Sequence, residues 1–205
     1  MKSLPKFVYD EKIKFLSFEQ NSIKYTIKYR YNKNLIDFMA TYPEADCETF
    51  FNAPLDLKTY KDIAEGLKKY INGKKASVGL NFILNFVQNA FKYKVDSQQF
   101  GREKMMFAQE TLYFNSSDCE DRAVLFSYLI RELFGISVVG VRYNDHISTA
   151  LYIPMDGDSV KVYTKKYIIA DPTYLNAIVG QNMPKYKTIR PDGFINIKTN
   201  KKRSL

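Results

Sequence analysis

The chain has 205 residues, of which 45% are apolar and 15% aromatic, and this is enough to form one domain of good size or a domain with a small appendage. Nine glycines and seven prolines exclude collagen-like and low-complexity classes, while two cysteines exclude a disulfide-dense scaffold. The single histidine argues against a multi-histidine zinc site, and the formal net charge of +9 is compatible with an anionic partner.

No run of about 18 apolar residues occurs, so the sequence predicts no membrane span. The first six residues lack the apolar stretch of a signal peptide. We expect a cytoplasmic protein if Met1 is the true start, and a periplasmic or cell-surface one if the chain is a domain cut from a longer protein. The sequence does not separate these possibilities.

Residues 6–42 predict β-strands, with a hairpin in which 12–18 and 23–31 flank a turn at 19–22. Lysines alternate with aromatic residues in the second strand, which is typical of a half-buried strand with solvated lysines. A sheet that binds single-stranded nucleic acid is the alternative. Prolines at 43 and 54 break the pattern, so we predict a β-rich N-terminal region over 1–54.

Helical periodicity begins at Asp56. Apolar spacing predicts one helix that ends near Gly73 and a second over 77–93, followed by a surface loop over 94–104. A third helix has Ser117 as its predicted N-cap, Glu120 three residues later, and Gly135 at its end.

The chain then changes to short β-branched segments. Strands are predicted at 136–143, 147–153, 160–163 and 167–170, and together they form an antiparallel meander. Helices followed by strands indicate an α+β fold. We predict a core over 55–185 and a basic C-terminal tail over 186–205.

Cys119 lies in the first turn of the third predicted helix. Free N–H groups and the positive end of the helix dipole favour a thiolate there, and the same N–H groups can bind an oxyanion. The neighbouring Asp118, Glu120 and Asp121 carboxylates disfavour the thiolate. A lone cysteine at a helix start is also a common packing residue.

His146 opens a predicted strand, and Asp171 closes a later strand immediately before Pro172. Neighbouring antiparallel strands can place the carboxylate beside the imidazole, and the helix can bring Cys119 to the same strand ends. Cys119, His146 and Asp171 could then act as nucleophile, base and orienting acid, respectively. Taken singly, the histidine and the Asp-Pro pair each have an ordinary structural explanation.

Three segments together, 118–123, 145–146 and 170–174, resemble the transglutaminase-like superfamily, which are papain-related cysteine enzymes with a Cys-His-Asp triad. The resemblance extends over about residues 55–184. It implies a papain-type core of helices on an antiparallel sheet, with Cys119 as nucleophile, His146 as base and then acid, and Asp171 as orienting group.

The chain departs from the family pattern at three points. Ser116 and Ser117 stand where many members have glycine, and we expect their side chains to narrow the approach to Cys119. Asp145 replaces a glycine before the histidine. There is no tryptophan for the oxyanion site, so Gln109 or Tyr113 is a candidate for that role, with an exposed glutamine or a packed tyrosine as the simpler interpretation.

The main hypothesis is a cysteine enzyme that acts on amide or peptide carbonyls through an acyl-enzyme, with a protein or peptide as substrate. Hydrolysis by a protease or amidase is favoured over cross-linking because water outnumbers amines. The alternative is a catalytically degenerate interaction domain that binds a protein or polysaccharide. Nucleic-acid binding is the weakest hypothesis. We predict no cofactor, no metal and two free thiols, Cys47 and Cys119; whether the site is active and the oligomeric state are left open.

Overall fold

The computed structural model describes residues 8–198, and its fold is α+β, as the sequence predicts. Strands β1 (Glu11–Gln20) and β2 (Ile23–Asn32) form an antiparallel hairpin. One face of the hairpin is buried, through Leu16, Phe18, Ile27 and Tyr29. In β2, Lys24 and Lys28 lie on the opposite, exposed face, which is the alternation expected of a half-buried strand, whereas Lys12 and Lys14 of β1 are on the same side as Leu16 and Phe18.

The prediction of strands up to residue 42 is wrong, because helix α1 (Lys33–Ala40) follows the hairpin directly. Asn32 caps this helix by accepting a hydrogen bond from the N–H of Asn34 at 3.2 Å. Leu35, Ile36 and Met39 recur at helical spacing and are buried.

Three further helices follow, and they are α2 (Cys47–Phe51), α3 (Leu57–Ile71) and α4 (Ala76–Asn89). The Asp56 side chain caps α3 by accepting from two backbone N–H groups, as expected for a helix that begins there. Helix α4 is shorter than predicted because the chain enters strand β3 (Lys92–Tyr93), which pairs in parallel with β4 (Ser116–Ser117).

The predicted surface loop over 94–104 contains helix α5 (Asp96–Gln99), and Asp96 is buried. Helices α6 (Ala108–Tyr113) and α7 (Cys119–Phe134) complete the helical part. The N-cap of α7 is Asp118 rather than the predicted Ser117, so the cap lies one residue later along the chain. Gly135 ends α7 in the left-handed conformation, with φ of 66°.

The main sheet has five strands, which are β5 (Val138–Tyr143), β6 (His146–Leu151), β7 (Ser159–Val162), β8 (Lys165–Ala170) and β9 (Gly193–Asn196). They lie in the order β7-β8-β6-β5-β9, and every neighbouring pair is antiparallel. The predicted meander is wrong in one respect, because β8 lies between β6 and β7. The reason is burial: the last three residues of β8 are buried, whereas β7 has one buried residue and suits the edge.

The end of the chain also differs from the expected tail. A short 3-10 turn at Pro184–Tyr186 packs back on the sheet, and β9 pairs with β5. Residues 199–205 of the predicted tail lie outside the described residues. The division into 1–54, 55–185 and 186–205 stays a prediction.

The two faces of the sheet have separate apolar clusters. Val138, Leu151 and Ile168 belong to the large core, which also contains buried side chains of the hairpin and of α3, α4 and α7. Val139 and Val141 belong to a smaller cluster on the opposite face, which Tyr186 covers. Within residues 8–198, no helix is long and apolar enough to cross a membrane.

Candidate active site

Cys119, His146 and Asp171 lie on three elements that meet at one end of the sheet. Cys119 is the first residue of α7, His146 is the first residue of β6, and Asp171 directly follows β8. Because β6 and β8 are antiparallel neighbours, with Thr149 opposite Ala170, the end of β8 lies beside the beginning of β6.

His146 and Asp171 form a buried hydrogen-bonded pair. The distance from His146 Nε2 to Asp171 Oδ2 is 2.8 Å, and the two residues are 7% and 0% exposed. The other carboxylate oxygen accepts the backbone N–H groups of Thr173 at 2.9 Å and Tyr174 at 3.3 Å. Asp171 is therefore held from both sides, and Nδ1 is the imidazole nitrogen that this pair leaves available.

The Tyr186 ring stacks on the imidazole. The ring centroids of His146 and Tyr186 are 5.0 Å apart with an interplanar angle of 12°. The Tyr186 hydroxyl donates to Asp145 Oδ1 at 2.9 Å, and Lys185 forms an ion pair with the same carboxylate. Asp145 thus anchors the turn that packs over His146. Sequence reasoning missed Tyr186, because its position depends on a return of the chain from 40 residues downstream of the histidine.

Gln88 of α4 holds the segment that carries Asp171. Its Nε2 lies 3.1 Å from the carbonyl oxygen of Asp171, 2.8 Å from that of Tyr174 and 3.1 Å from that of Ala177. Its role was not predicted, although one signal was present. Gln88 lies four and eight residues after Leu84 and Leu80, so a polar side chain occupies the buried stripe of the helix.

The Cys119 thiol contacts two groups that have opposite effects. Its Sγ donates to Glu120 Oε2 at 3.0 Å. The backbone N–H of Ile147, the residue after His146, donates to the sulfur. The second contact places the sulfur beside the start of β6 and favours a thiolate.

Burial raises the pKa of the Cys119 thiol well above its ordinary value, and the Glu120 carboxylate raises it further. The Ile147 N–H lowers this pKa but does not outweigh the other two causes. These causes together favour the protonated thiol, and the acidic neighbours have the unfavourable effect that the sequence indicates.

The residues around the thiol and imidazole line a cavity of about 610 Å³. Cys119, His146 and Ile147 all contribute to its wall, together with Tyr143. The cavity is open to solvent at exposed side chains such as Glu103. A substrate can therefore reach both groups.

Neither Gln109 nor Tyr113, the candidates for the oxyanion role, lines this cavity; the simpler interpretation is confirmed for the packed Tyr113 and wrong for Gln109, which is buried rather than exposed. Gln109 is buried, donates to Thr59 Oγ1 at 3.1 Å and accepts the Asp56 N–H at 3.1 Å. The Tyr113 ring packs on Tyr31 of the hairpin. Helix α6 turns both side chains away from the thiol.

Ser116 and Ser117 also lie outside the wall of this cavity, so the expectation that they narrow the approach to Cys119 is wrong. Ser117 is buried, and its Oγ accepts from Arg122 Nε at 3.2 Å. The Arg122 guanidinium also donates to the carbonyl oxygens of Gln88 and Phe91. The serine thus contributes to the support of a buried arginine behind the site.

Several carboxylates surround the start of α7. Burial and the neighbouring negative charges raise the pKa of both Asp118 and Asp121. Asp121 Oδ1 accepts the Met106 N–H at 2.7 Å, so this carboxyl also ties the preceding loop to the helix. Within the described chain, two groups of three carboxylates have oxygens within 4.8 Å of one another, Asp96–Asp118–Asp121 and Asp96–Glu103–Glu120.

Comparisons with known proteins leave the family unassigned. No protein-family model matches the chain, and no curated protein matches it. Among solved structures, the chain is similar to one from Cytophaga hutchinsonii described as a "putative cysteine protease". The TM-score is 0.41 and the identity 17%, and the match covers 83% of this chain and 68% of the other.

Proposed function

We propose that this protein is a cysteine hydrolase of the transglutaminase-like type, a protease or amidase that cleaves a peptide or amide bond. The observation that carries the proposal is the buried His146–Asp171 pair, at 2.8 Å, which opens on the same cavity as Cys119. A thiol at a helix N-terminus, an oriented imidazole and a solvent-accessible cavity are the parts that amide cleavage by a thiol requires.

In the proposed reaction, His146 Nδ1 accepts the proton of the Cys119 thiol, and the Asp171 carboxylate stabilises the imidazolium. For this step the thiol turns from Glu120 towards the imidazole. The thiolate then forms a bond to the carbonyl carbon of the substrate, and the negative oxygen faces the free N–H groups of the first turn of α7.

Collapse of this intermediate breaks the carbon–nitrogen bond, and His146 returns its proton to the leaving amine. A water molecule then attacks the thioester while His146 accepts its proton. The carbon–sulfur bond breaks, the acid is released, and the thiol regains a proton. Hydrolysis is favoured over transfer to an amine because the cavity is open to solvent and water is in large excess.

A library of fluorogenic peptides tests this proposal with purified protein. We expect hydrolysis by the wild type, with a thioester adduct on Cys119 detectable by mass spectrometry after acid quenching. Cys119→Ala should abolish hydrolysis and the adduct, and His146→Gln should slow both by at least about 100-fold. Hydrolysis that survives Cys119→Ala would refute the assignment.

The second candidate is a binding domain that retains the fold without catalysis. It is favoured by one observation, the hydrogen bond of the buried Cys119 thiol to Glu120, because burial and this carboxylate both raise the pKa of the thiol. This candidate predicts no adduct with any peptide or electrophilic peptide analogue in wild-type protein. Labelling of Cys119 that depends on His146 would exclude it.

A further inference from the structure

Tyr93 contributes to the wall of the cavity that contains the thiol, and its backbone is fixed beside the segment that leads into α7. It lies in β3, where its partner in the parallel pair is Ser117 of β4, two residues before Cys119. The N–H of Lys94, the next residue, donates to the carbonyl oxygen of Ser117 at 3.3 Å. The pairing of β3 with β4 therefore sets the position of Tyr93 relative to the start of the helix.

The Tyr93 ring packs on the guanidinium of Arg122. The distance from Arg122 Cζ to the ring centroid is 5.5 Å, which is within the range of a cation–π contact. Arg122 is 1% exposed, and it donates to Ser117 Oγ and to the carbonyl oxygens of Gln88 and Phe91. Tyr93 itself is 54% exposed. A rigid, buried cation thus supports the ring, while the side chain stays accessible from the cavity.

The Tyr93 hydroxyl is an uncommitted donor close to the thiol. Among residues 8–198 no hydrogen bond joins this hydroxyl to another group. Partial burial raises its pKa to about 12, and negative charges at Cys119, Asp118 and Glu120 contribute to the increase. The hydroxyl therefore lies within electrostatic range of the sulfur, and near neutral pH it keeps its proton and can donate a hydrogen bond.

Two other donors of the cavity wall are engaged elsewhere. Lys104 Nζ forms a buried ion pair with Glu110 at 2.7 Å. The Tyr143 ring stacks on Tyr186, with the ring centroids 4.4 Å apart, which directs it to the histidine side of the cavity. Tyr93 differs from both, because its donor is unused and its strand is paired to the segment that carries the thiol.

We propose that the Tyr93 hydroxyl donates a hydrogen bond to the carbonyl oxygen of the scissile amide as this oxygen becomes negative, together with the N–H groups of the first turn of α7. This inference rests on the proposed hydrolase function and adds a catalytic residue to it. When the Cys119 sulfur bonds to the carbonyl carbon, the π electron pair moves onto the oxygen, and it returns when the carbon–nitrogen bond breaks. The phenol keeps its proton throughout, so it acts as a hydrogen-bond donor and not as an acid.

Tyr93→Phe removes the hydroxyl and keeps the ring on Arg122, so it tests the donor alone. On a fluorogenic peptide that the wild type cleaves, we expect kcat to fall by about 10–100-fold and KM to stay within about twofold, because the hydrogen bond strengthens in the transition state. Tyr152→Phe is the matched control and should change neither constant. Tyr152 is 48% exposed, lies outside this cavity, and also has a cation over its ring, with Lys165 Nζ 4.9 Å from the centroid.

Alkylation of Cys119 by iodoacetamide separates an effect on the oxyanion from an effect on the thiol. The sulfur displaces iodide from a saturated carbon, so no negative oxygen develops in this reaction. We expect the alkylation rate of Tyr93→Phe to stay within about twofold of the wild-type rate between about pH 6 and pH 9. A decrease that matches the loss of kcat would overturn the inference, because Tyr93 would then act through the thiol.

A peptide aldehyde tests the same hydrogen bond without turnover. N-acetyl-leucyl-leucyl-norleucinal accepts the Cys119 sulfur at its carbonyl carbon and forms a tetrahedral adduct, whereas the corresponding alcohol forms none. We expect Tyr93→Phe to weaken inhibition by the aldehyde by at least about tenfold and to leave binding of the alcohol unchanged.

The outcomes distinguish the role of Tyr93 from the hydrolase function. Equal aldehyde affinity in wild type and Tyr93→Phe would overturn the inference and leave the hydrolase function intact. An unchanged kcat in Tyr93→Phe with an increased KM in Tyr93→Ala would also overturn it, because the ring would then only contact the substrate. Wild-type protein that neither cleaves a peptide nor forms the aldehyde adduct would refute the hydrolase function, and the role of Tyr93 with it.

Discussion

On the imidazole side of the cavity several hydrogen bonds hold His146 and Asp171, whereas on the thiol side Asp96, Glu103 and Glu120 form no ion pair within the described residues. His146 and Asp171 are held by backbone N–H groups, by Gln88 behind the Asp171 segment and by the Tyr186 ring. Cys119 is hydrogen-bonded to Glu120 and lies among carboxylates whose pKa values are raised. In the proposed reaction the base is thus preorganised, and the proposed nucleophile depends on a change in its electrostatic surroundings.

The largest expected effect comes from removing the support of the base. Asp171→Ala removes the acceptor at His146 Nε2, so we expect kcat/KM to fall by about 10²–10⁴. Asp171→Asn keeps an oxygen for the Thr173 and Tyr174 N–H groups but presents an NH2 donor to His146 Nε2, so the ring proton moves to Nδ1 and activity should fall to a similar extent while the fold is retained. Steady-state kinetics with thermal unfolding as a folding control make the measurement. Activity of Asp171→Asn close to that of wild type would show that Asp171 does not orient His146.

Gln88 tests the same side of the cavity through stability. Gln88→Ala leaves buried carbonyl oxygens of the Asp171 segment without a donor, which should cost about 1–3 kcal/mol of unfolding free energy. Urea denaturation measures this loss. Asn89→Ala on the same helix is the control, because the Asn89 amide donates only to a carbonyl within α4. A loss no larger than that of the control would contradict the supporting role of Gln88.

The sequence predicts the imidazole side well because its parts are local. His146 and Asp171 lie at strand ends that β-branched runs and Asp-Pro define, and Cys119 lies in the first turn of a strongly apolar helix. In the structure α7 begins at Cys119, and its N-cap is Asp118 rather than Ser117. The capping box therefore joins Asp118 to Asp121, which lies three residues after the cap, and Glu120 does not take part in it. A one-residue shift of this kind depends on side-chain contacts, which periodicity does not determine.

The features that the sequence does not predict depend on contacts between residues that are distant in the chain. The position of β8 between β6 and β7, the addition of β9 and the stacking of Tyr186 on His146 all depend on pairing between distant segments. The carboxylate group of Asp96, Glu103 and Glu120 combines a residue of α5, a loop residue and a residue of α7, so no local pattern groups them. Asp96 was assigned to a surface loop, although it is buried against the Lys104 N–H.

On the thiol side, Glu120→Gln should increase nucleophile reactivity. Removing the Glu120 charge lowers the pKa of the Cys119 thiol, and each unit of decrease raises the alkylation rate at about pH 7 by up to about tenfold. Peptide-level mass spectrometry after iodoacetamide treatment measures this rate. The matched control is Glu65→Gln, an exposed carboxylate on α3, because Cys47 lines the same cavity and Glu120 also raises the pKa of its thiol. An unchanged Cys119 rate would show that Glu120 does not suppress the thiol.

The smallest expected effect is the dependence of stability on pH. Because the pKa of Asp118 is raised by folding, the folded protein holds a proton above about pH 4 that the unfolded chain has released. The unfolding free energy therefore decreases as pH rises above that value, by at most about 1.4 kcal/mol per unit for this group. Asp118→Asn should show a weaker decrease in urea titrations, and identical slopes would contradict the raised pKa.

The central claim is that the His146 imidazole accepts the proton of the Cys119 thiol. It is tested most directly by the alkylation rate of Cys119 in four proteins: wild type, Glu120→Gln, His146→Ala and the double variant. We predict that Glu120→Gln accelerates the reaction near neutral pH and that His146→Ala removes most of this gain, because the imidazole accepts the thiol proton. Rates that are the same with and without His146, at every pH and in both backgrounds, would contradict the account.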